Sequence, residues 1–134
     1  MTDRKTIQSL IEKAYEARRL GDVEGIVSIF HQNGVFQLAG SKTTTQAVGI
    51  TTGHDDLRKT MTGLVEAFEF VHRDILTFLI DGDEAAVHSR VQIRFTPKDQ
   101  MVTTDILDVW KFEDGKVMEF VEFVDTALLN DLMR

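Results

Sequence analysis

Two acidic residues stand in rows where acidic residues are costly. Ile106, Asp108, Trp110 and Phe112 alternate along one run near the end of the chain, and Met118, Phe120, Glu122 and Val124 along the next. Strand side chains alternate between faces, so each run offers an apolar row holding one carboxyl group. A carboxylate there loses water and must be paired, hydrogen-bonded or protonated. Two such groups near each other divide the work. One keeps its proton and donates a hydrogen bond, while the other accepts a proton at neutral pH. That is the equipment of general acid–base chemistry, with Glu122 as the base and Asp108 as the donor or the group that orients the base. The structural alternative is that Asp108 satisfies a polar neighbour in a ligandless core and Glu122 reaches solvent at the rim.

Whether the two acids share a face depends on Asp114-Gly115, a strong hairpin signal between the two runs. A two-residue loop pairs Glu113 with Lys116 and sets Asp108 opposite Val121. A three-residue loop with a bulge at Gly115 pairs Phe112 with Lys116, sets Asp108 opposite Phe120 and leaves Glu122 one step away on the same face. The bulged loop is preferred because it merges the two apolar rows. Leu107, Val109, Val121 and Phe123 then form an outer row too apolar for water, which predicts a homodimer through that face.

Other polar groups have two placements each. His88, Arg90, Gln92 and Arg94 alternate with Val87, Val91, Ile93 and Phe95. The simplest reading turns the polar set to solvent; the alternative turns Arg90, and with it His88, into a pocket as ligands for an anion or carbonyl. Tyr15 either points its hydroxyl into that pocket or packs. Phe36, Leu38, Phe68, Trp110 and Phe120 are pocket walls if there is a pocket, and core otherwise. His31, His54 and His72 lack metal-ligand spacing, and the chain has no cysteine, so neither a metal nor a cofactor is expected. Signatures of a serine hydrolase, a phosphate loop or a zinc protease are absent from the sequence.

The elements that must position these groups follow from periodicity. Ile7, Leu10, Ile11, Ala14 and Tyr15 recur at helical spacing over Thr6 to Leu20, with Gly21 as the stop. Asp22 caps a second helix over Val23 to Phe30. Asn33-Gly34 turns the chain into a short strand, Val35 to Ala39. Gly40 to Gly53 reads as a long loop, either a binding loop or a surface excursion. Asp55 and Asp56 open a third helix through Phe68. Four strands follow, Phe70–Ile80, Ala85–Phe95, Met101–Phe112 and Lys116–Asp125, and Ala127–Met133 closes the chain as a short helix. The order predicts one α+β domain spanning residues 1–134, with about three N-terminal helices packed on a curved antiparallel sheet.

The totals agree. A chain of 134 residues suits one domain with a real core. Its 22 acidic and 15 basic residues leave a net charge of −7, without the clustered Lys and Arg that nucleic acid or an anionic membrane requires. The first residues lack the apolar stretch of a signal peptide, and no run approaches a membrane span, so the expected location is the cytoplasm.

Two segments resemble a known superfamily. Gly21-Asp22-Val23-Glu24-Gly25-Ile26-Val27 with Phe30 is similar to the helix-turn-helix opening of ketosteroid isomerases, and Asp108 to Val117 is similar to the last hairpin of the nuclear transport factor 2-like (NTF2-like, cystatin-like) superfamily. The resemblance, which includes SnoaL-like polyketide cyclases, implies a cone around a pocket for a small apolar molecule. It also implies a choice of chemistries without a cofactor: isomerisation, dehydration, hydrolysis or cyclisation of a carbonyl- or epoxide-type substrate. The alternative it leaves is a non-catalytic binding or dimeric interaction domain. By the same resemblance, Asp108 falls where ketosteroid isomerases carry a protonated aspartic acid, and Glu122 where SnoaL-like cyclases and limonene epoxide hydrolase-like enzymes place an acid or base. The isomerase tyrosine would fall at Ala14 and its base at Leu38, so the resemblance does not extend to steroid isomerisation.

Overall fold

The computed structural model describes residues 2–41 and 48–134. Helix α1 spans Arg4–Leu20 and buries Ile7, Ile11, Ala14 and Ala17 along one stripe. Asp3 caps its start, and Gly21 ends it in the left-handed conformation at φ 71°. The Asp22 side chain accepts from Gly25 N and opens α2 (Val23–Val27). Strand β1 (Phe30–Leu38) begins immediately, so the second helix is shorter and the strand longer than the periodicity suggests. Asn33-Gly34 is an irregularity inside β1, not a turn before it. A Cβ at Gly34 would sit 2.9 Å from the Val117 and His31 carbonyl oxygens, so only glycine fits.

The stretch expected to be one long loop contains a further strand, β2 (Gly49–Thr52), antiparallel to β1. The rest of that expectation falls mainly on residues 42–47, outside the described residues. Helix α3 (His54–Ala67) follows, then β3 (Phe68–Asp81), β4 (Glu84–Phe95), a single 3-10 turn, β5 (Gln100–Glu113), β6 (Lys116–Phe123) and α4 (Thr126–Met133).

The six strands form a curved, open sheet in the order β2-β1-β6-β5-β4-β3. It is antiparallel except where β1 and β6 run parallel, a correction to the fully antiparallel expectation. The reason is connectivity: the chain leaves β1, builds β2, α3 and three further strands, and returns as β6 beside β1. The first three helices pack on one face of the sheet over Trp110, Phe30, Val87 and Val117. A second group, Phe68, Phe70, Val91, Ile93, Phe95 and Ile106, meets Leu132 of α4. Among the described residues no helix is long and apolar enough to cross a membrane.

The last hairpin departs from the preferred register. Asp114 (φ 51°) and Gly115 (φ 74°) both take positive φ, the signature of a two-residue loop, and Glu113 pairs with Lys116. The bulge lies in β6 instead of the loop. Phe112 pairs with Val117 but Lys111 with Glu119, leaving Met118 as the extra residue. Val117 is therefore buried in place of Met118. Beyond the bulge the register is shifted by one, so Asp108 lies directly opposite Glu122, and Trp110 opposite Phe120. The two acids share the inner face as expected, two residues closer in register than the bulged loop would bring them.

Candidate functional site

Asp108 is fully buried in the middle of β5. Its Oδ2 accepts a 2.7 Å hydrogen bond from the Tyr15 hydroxyl on α1, and Arg73 Nη1 of β3 lies 3.8 Å from the same oxygen. Oδ1 has no hydrogen-bond donor among the described residues. Burial, and then the Glu122 charge across the ladder, push the Asp108 pKa well above the ordinary aspartate range. Glu122 lies directly opposite Asp108 across the ladder, and its charge is what favours a proton on the buried aspartate after burial itself. Burial and the same aspartate push the Tyr15 phenol far above its usual value, so Tyr15 serves only as a neutral donor.

Arg73 is held on three sides. Nη1 donates to Ser89 Oγ at 3.0 Å, and the guanidinium lies 3.7 Å above the Tyr15 ring centroid. It stands 5.2 Å from the Phe70 ring. Arg18, in the last turn of α1, lies 4.3 Å above the other side of the cluster at Phe70 and donates from Nη2 to the Leu64 carbonyl at 3.1 Å. Burial lowers its pKa to about 10 against the opposing pull of Glu122, so it stays charged at neutral pH.

Tyr15, Arg18 and Arg73 border a cavity that opens to solvent. Its walls are apolar: Phe36 and Leu38 from β1, Phe68 and Phe70 from β3, Trp110 and Phe120 stacked with centroids 3.8 Å apart. Leu128, Leu129 and Leu132 of α4 cover one side. Tyr15, Arg18, Arg73 and Glu122 supply its polar lining, with Thr104 deeper along β5 and Asp125 towards α4. The arrangement is an apolar chamber lined by two carboxylates, Glu122 and Asp125, and two guanidinium groups, with the buried Asp108 behind Glu122.

The cavity thus brings together Tyr15, Phe36, Leu38, Phe68, Trp110, Phe120 and Glu122. Asp108 stands behind them, buried and off the cavity surface. Arg90 is a correction. It lies on the outer face, where Nε donates to Asp105 at 2.9 Å beside His88, because strand parity turns it away from its inward neighbours Ser89 and Val91. The cavity's arginines are Arg18 and Arg73, which sequence reasoning missed. Arg18 follows Ile11 by seven residues and Ala14 by four, the spacing of the buried stripe, and that signal was available. Arg73 was hidden by a register shift at Val71. Phe70 pairs with Ile93 but His72 with Gln92, so Arg73 faces inward three residues after Phe70. Among the described residues no group of three metal-binding side chains occurs.

A profile of the SnoaL-like domain matches residues 11–120. No functionally curated protein matches the sequence. Several solved structures share the fold. An NTF2-like protein of unknown function from Burkholderia pseudomallei superposes with a TM-score of 0.82 at 18% identity over 98% of each chain. TerC, co-crystallised with polyporic acid, gives 0.78 at 20% identity over 96% of this chain and 97% of that one. A limonene epoxide hydrolase-like epoxide hydrolase of M. tuberculosis gives 0.71 at 14% identity over 94% and 88%. At these identities the likeness is one of fold.

Proposed function

The chain belongs to the SnoaL-like domain family, a small-molecule-binding NTF2-like domain, and from that premise we propose that it performs acid–base chemistry on a small, largely apolar carbonyl- or epoxide-type substrate without a cofactor. The observation that carries this reading is Glu122. It is the carboxylate set into the apolar chamber, directly across the ladder from an aspartic acid that keeps its proton. Asp108 donates to Glu122, and Tyr15 fixes Asp108 from behind. Glu122 takes a proton from a carbon beside a carbonyl, or from water, and returns it at a neighbouring atom. The chamber's walls exclude competing solvent. Its shape and the family's range of reactions favour isomerisation, dehydration, hydrolysis or cyclisation alike.

The test needs no knowledge of the natural substrate. In D₂O, 2-tetralone exchanges the protons beside its carbonyl, and NMR follows the loss of signal. A positioned base contributes roughly 10²–10⁴-fold. The protein should therefore accelerate exchange over buffer, and Glu122→Gln should remove at least ~100-fold of that acceleration. Exchange no faster than in buffer, with ligand binding intact, would favour the non-catalytic binding domain.

A second property has its own support. Leu107 pairs with Phe123 and Val109 with Val121 on the outer face, and Leu107 and Phe123 are 41% and 46% exposed. Two cross-strand pairs side by side make a continuous apolar patch of the kind that marks interfaces. A homodimer through this face is the expected state: light scattering at micromolar concentration should give twice the chain mass, and Phe123→Lys should halve it. A monomer in both cases would leave the patch without that role.

A further inference from the structure

We propose that the molecule held in the cavity is an apolar anion, a hydrocarbon or aromatic body carrying one acidic oxygen group such as a carboxylate, enolate or phenolate, and that Arg18 is the residue that selects it. The proposal deepens the reading of the cavity as a ligand site and rests on it. It begins with a side chain whose surroundings do not explain it. Arg18 is half-buried, carries five N–H donors, and among the described residues makes one hydrogen bond, to the Leu64 carbonyl. It forms no ion pair with a carboxylate among the described residues, whereas its neighbour Arg19 is exposed and paired with Glu16 at 2.6 Å. A desolvated cation is costly unless a carboxylate meets its N–H groups, and Glu122 acts on Arg18 only from a distance, so those groups are left for an anion from elsewhere.

The lining of the chamber points to the same residue. Two guanidinium groups, Arg18 and Arg73, line it. Facing them are the Glu122 carboxylate, the neutral Tyr15 hydroxyl and, on the exposed side by α4, Asp125, whose Oδ1 is committed to Leu128 N at 3.0 Å. Asp108 lies behind and is driven toward its neutral form by full burial opposite Glu122. Two guanidinium groups thus face two lining carboxylates, of which Asp125 stands on the exposed side of the cavity. Arg73 is already engaged with Ser89, the Tyr15 ring and Asp108. Arg18 is the cation with donors to spare. Its position above the Phe70 ring orients the planar group that a carboxylate or enolate oxygen would meet.

Two dyes of nearly the same aromatic body separate charge from apolar fit. The anion is 8-anilinonaphthalene-1-sulfonate, and N-phenyl-1-naphthylamine is its counterpart without the sulfonate. Apolar fit alone favours the neutral dye. The wild-type protein should bind the anion at least tenfold more tightly by fluorescence titration. Arg18→Met should weaken the anion at least tenfold while changing the neutral dye less than twofold, and Arg18→Lys should restore part of the loss. Equal or tighter binding of the neutral dye by the wild type overturns the proposal, and this comparison decides even if Arg18→Met fails to fold. So does anion binding that survives Arg18→Met but falls with Phe123→Lys, which would place the dye on the outer face. If neither dye binds, the cavity is not a ligand site, and the failure lies in the reading beneath this one.

Discussion

Asp108→Asn raises the stability of the protein at pH 7–8 and flattens its dependence on pH. Burial and Glu122 raise the folded-state pKa of Asp108 above its unfolded value, which is about 3.9. Between those two values the folded state binds more protons than the unfolded one, so stability falls as pH rises through the interval. Each unit of separation removes about 1.4 kcal/mol once pH exceeds both values. Asparagine has no such slope. Its Oδ1 still accepts from Tyr15, and its amide faces Glu122 across the ladder without a charge to desolvate. The measurement is the difference between the two melting curves from pH 4 to 8, in which groups remote from the pair cancel. A difference that does not change with pH, or a variant less stable at pH 8, would mean that Arg73 and Tyr15 hold Asp108 as an ordinary ionised carboxylate.

Trp110→Ala destabilises the protein by about 3–5 kcal/mol, the range for truncating a buried tryptophan. For a domain of this size that lowers Tm by roughly 10–20 °C. Trp110 is completely buried, stacks on Phe120 at 3.8 Å between centroids and meets Tyr15 edge-on at 6.0 Å. Its indole N–H leans toward the Tyr15 oxygen without completing a hydrogen bond, so alanine strands no strong partner and the loss is one of packing. Trp110→Phe keeps the stack with Phe120 and should cost less than half as much. Circular dichroism is the readout, since Trp110 is the only tryptophan. A loss below about 1 kcal/mol would show that the ring merely borders empty space, because filled cores do not give up such volume so cheaply.

The parts of this molecule that could be read from its sequence are those that short-range rules govern. Gly21 and Asp22 stop one helix and start the next, and the alternation in β4 and β5 sorts Val91 from Arg90 and Asp108 from Leu107 without knowledge of neighbours. What the sequence conceals are shifts by a single residue. The bulge at Met118, not the loop at Asp114-Gly115, brings Asp108 across from Glu122. Nothing in Val117-Met118-Glu119 announces it, because its cause is the helix layer that takes Val117 into the core. The shift at Val71 hid Arg73 in the same way. Strand β2 went unseen because four residues, Gly49–Thr52, are too few to show a period. Arg18 was overlooked for another reason: a basic residue in a helix's last turn already has an explanation in the helix dipole.

Among the described residues β3 is an edge strand, hydrogen-bonded to β4 and to no strand on its other side. A change in its length therefore disturbs one ladder, whereas the same change in β5 would disturb two. Its register already shifts twice, at Val71 and at Leu76, and after each shift the inward and outward residues exchange phase. Inserting or deleting one codon in such a strand swaps every downstream side chain between chamber and solvent while leaving the other five strands as they were. Evolution and protein engineering can thus replace the cavity's arginine with its sequence neighbour in one step, without passing through a series of substitutions. β3 is the strand to edit by length, and β5 and β6 those to edit by residue.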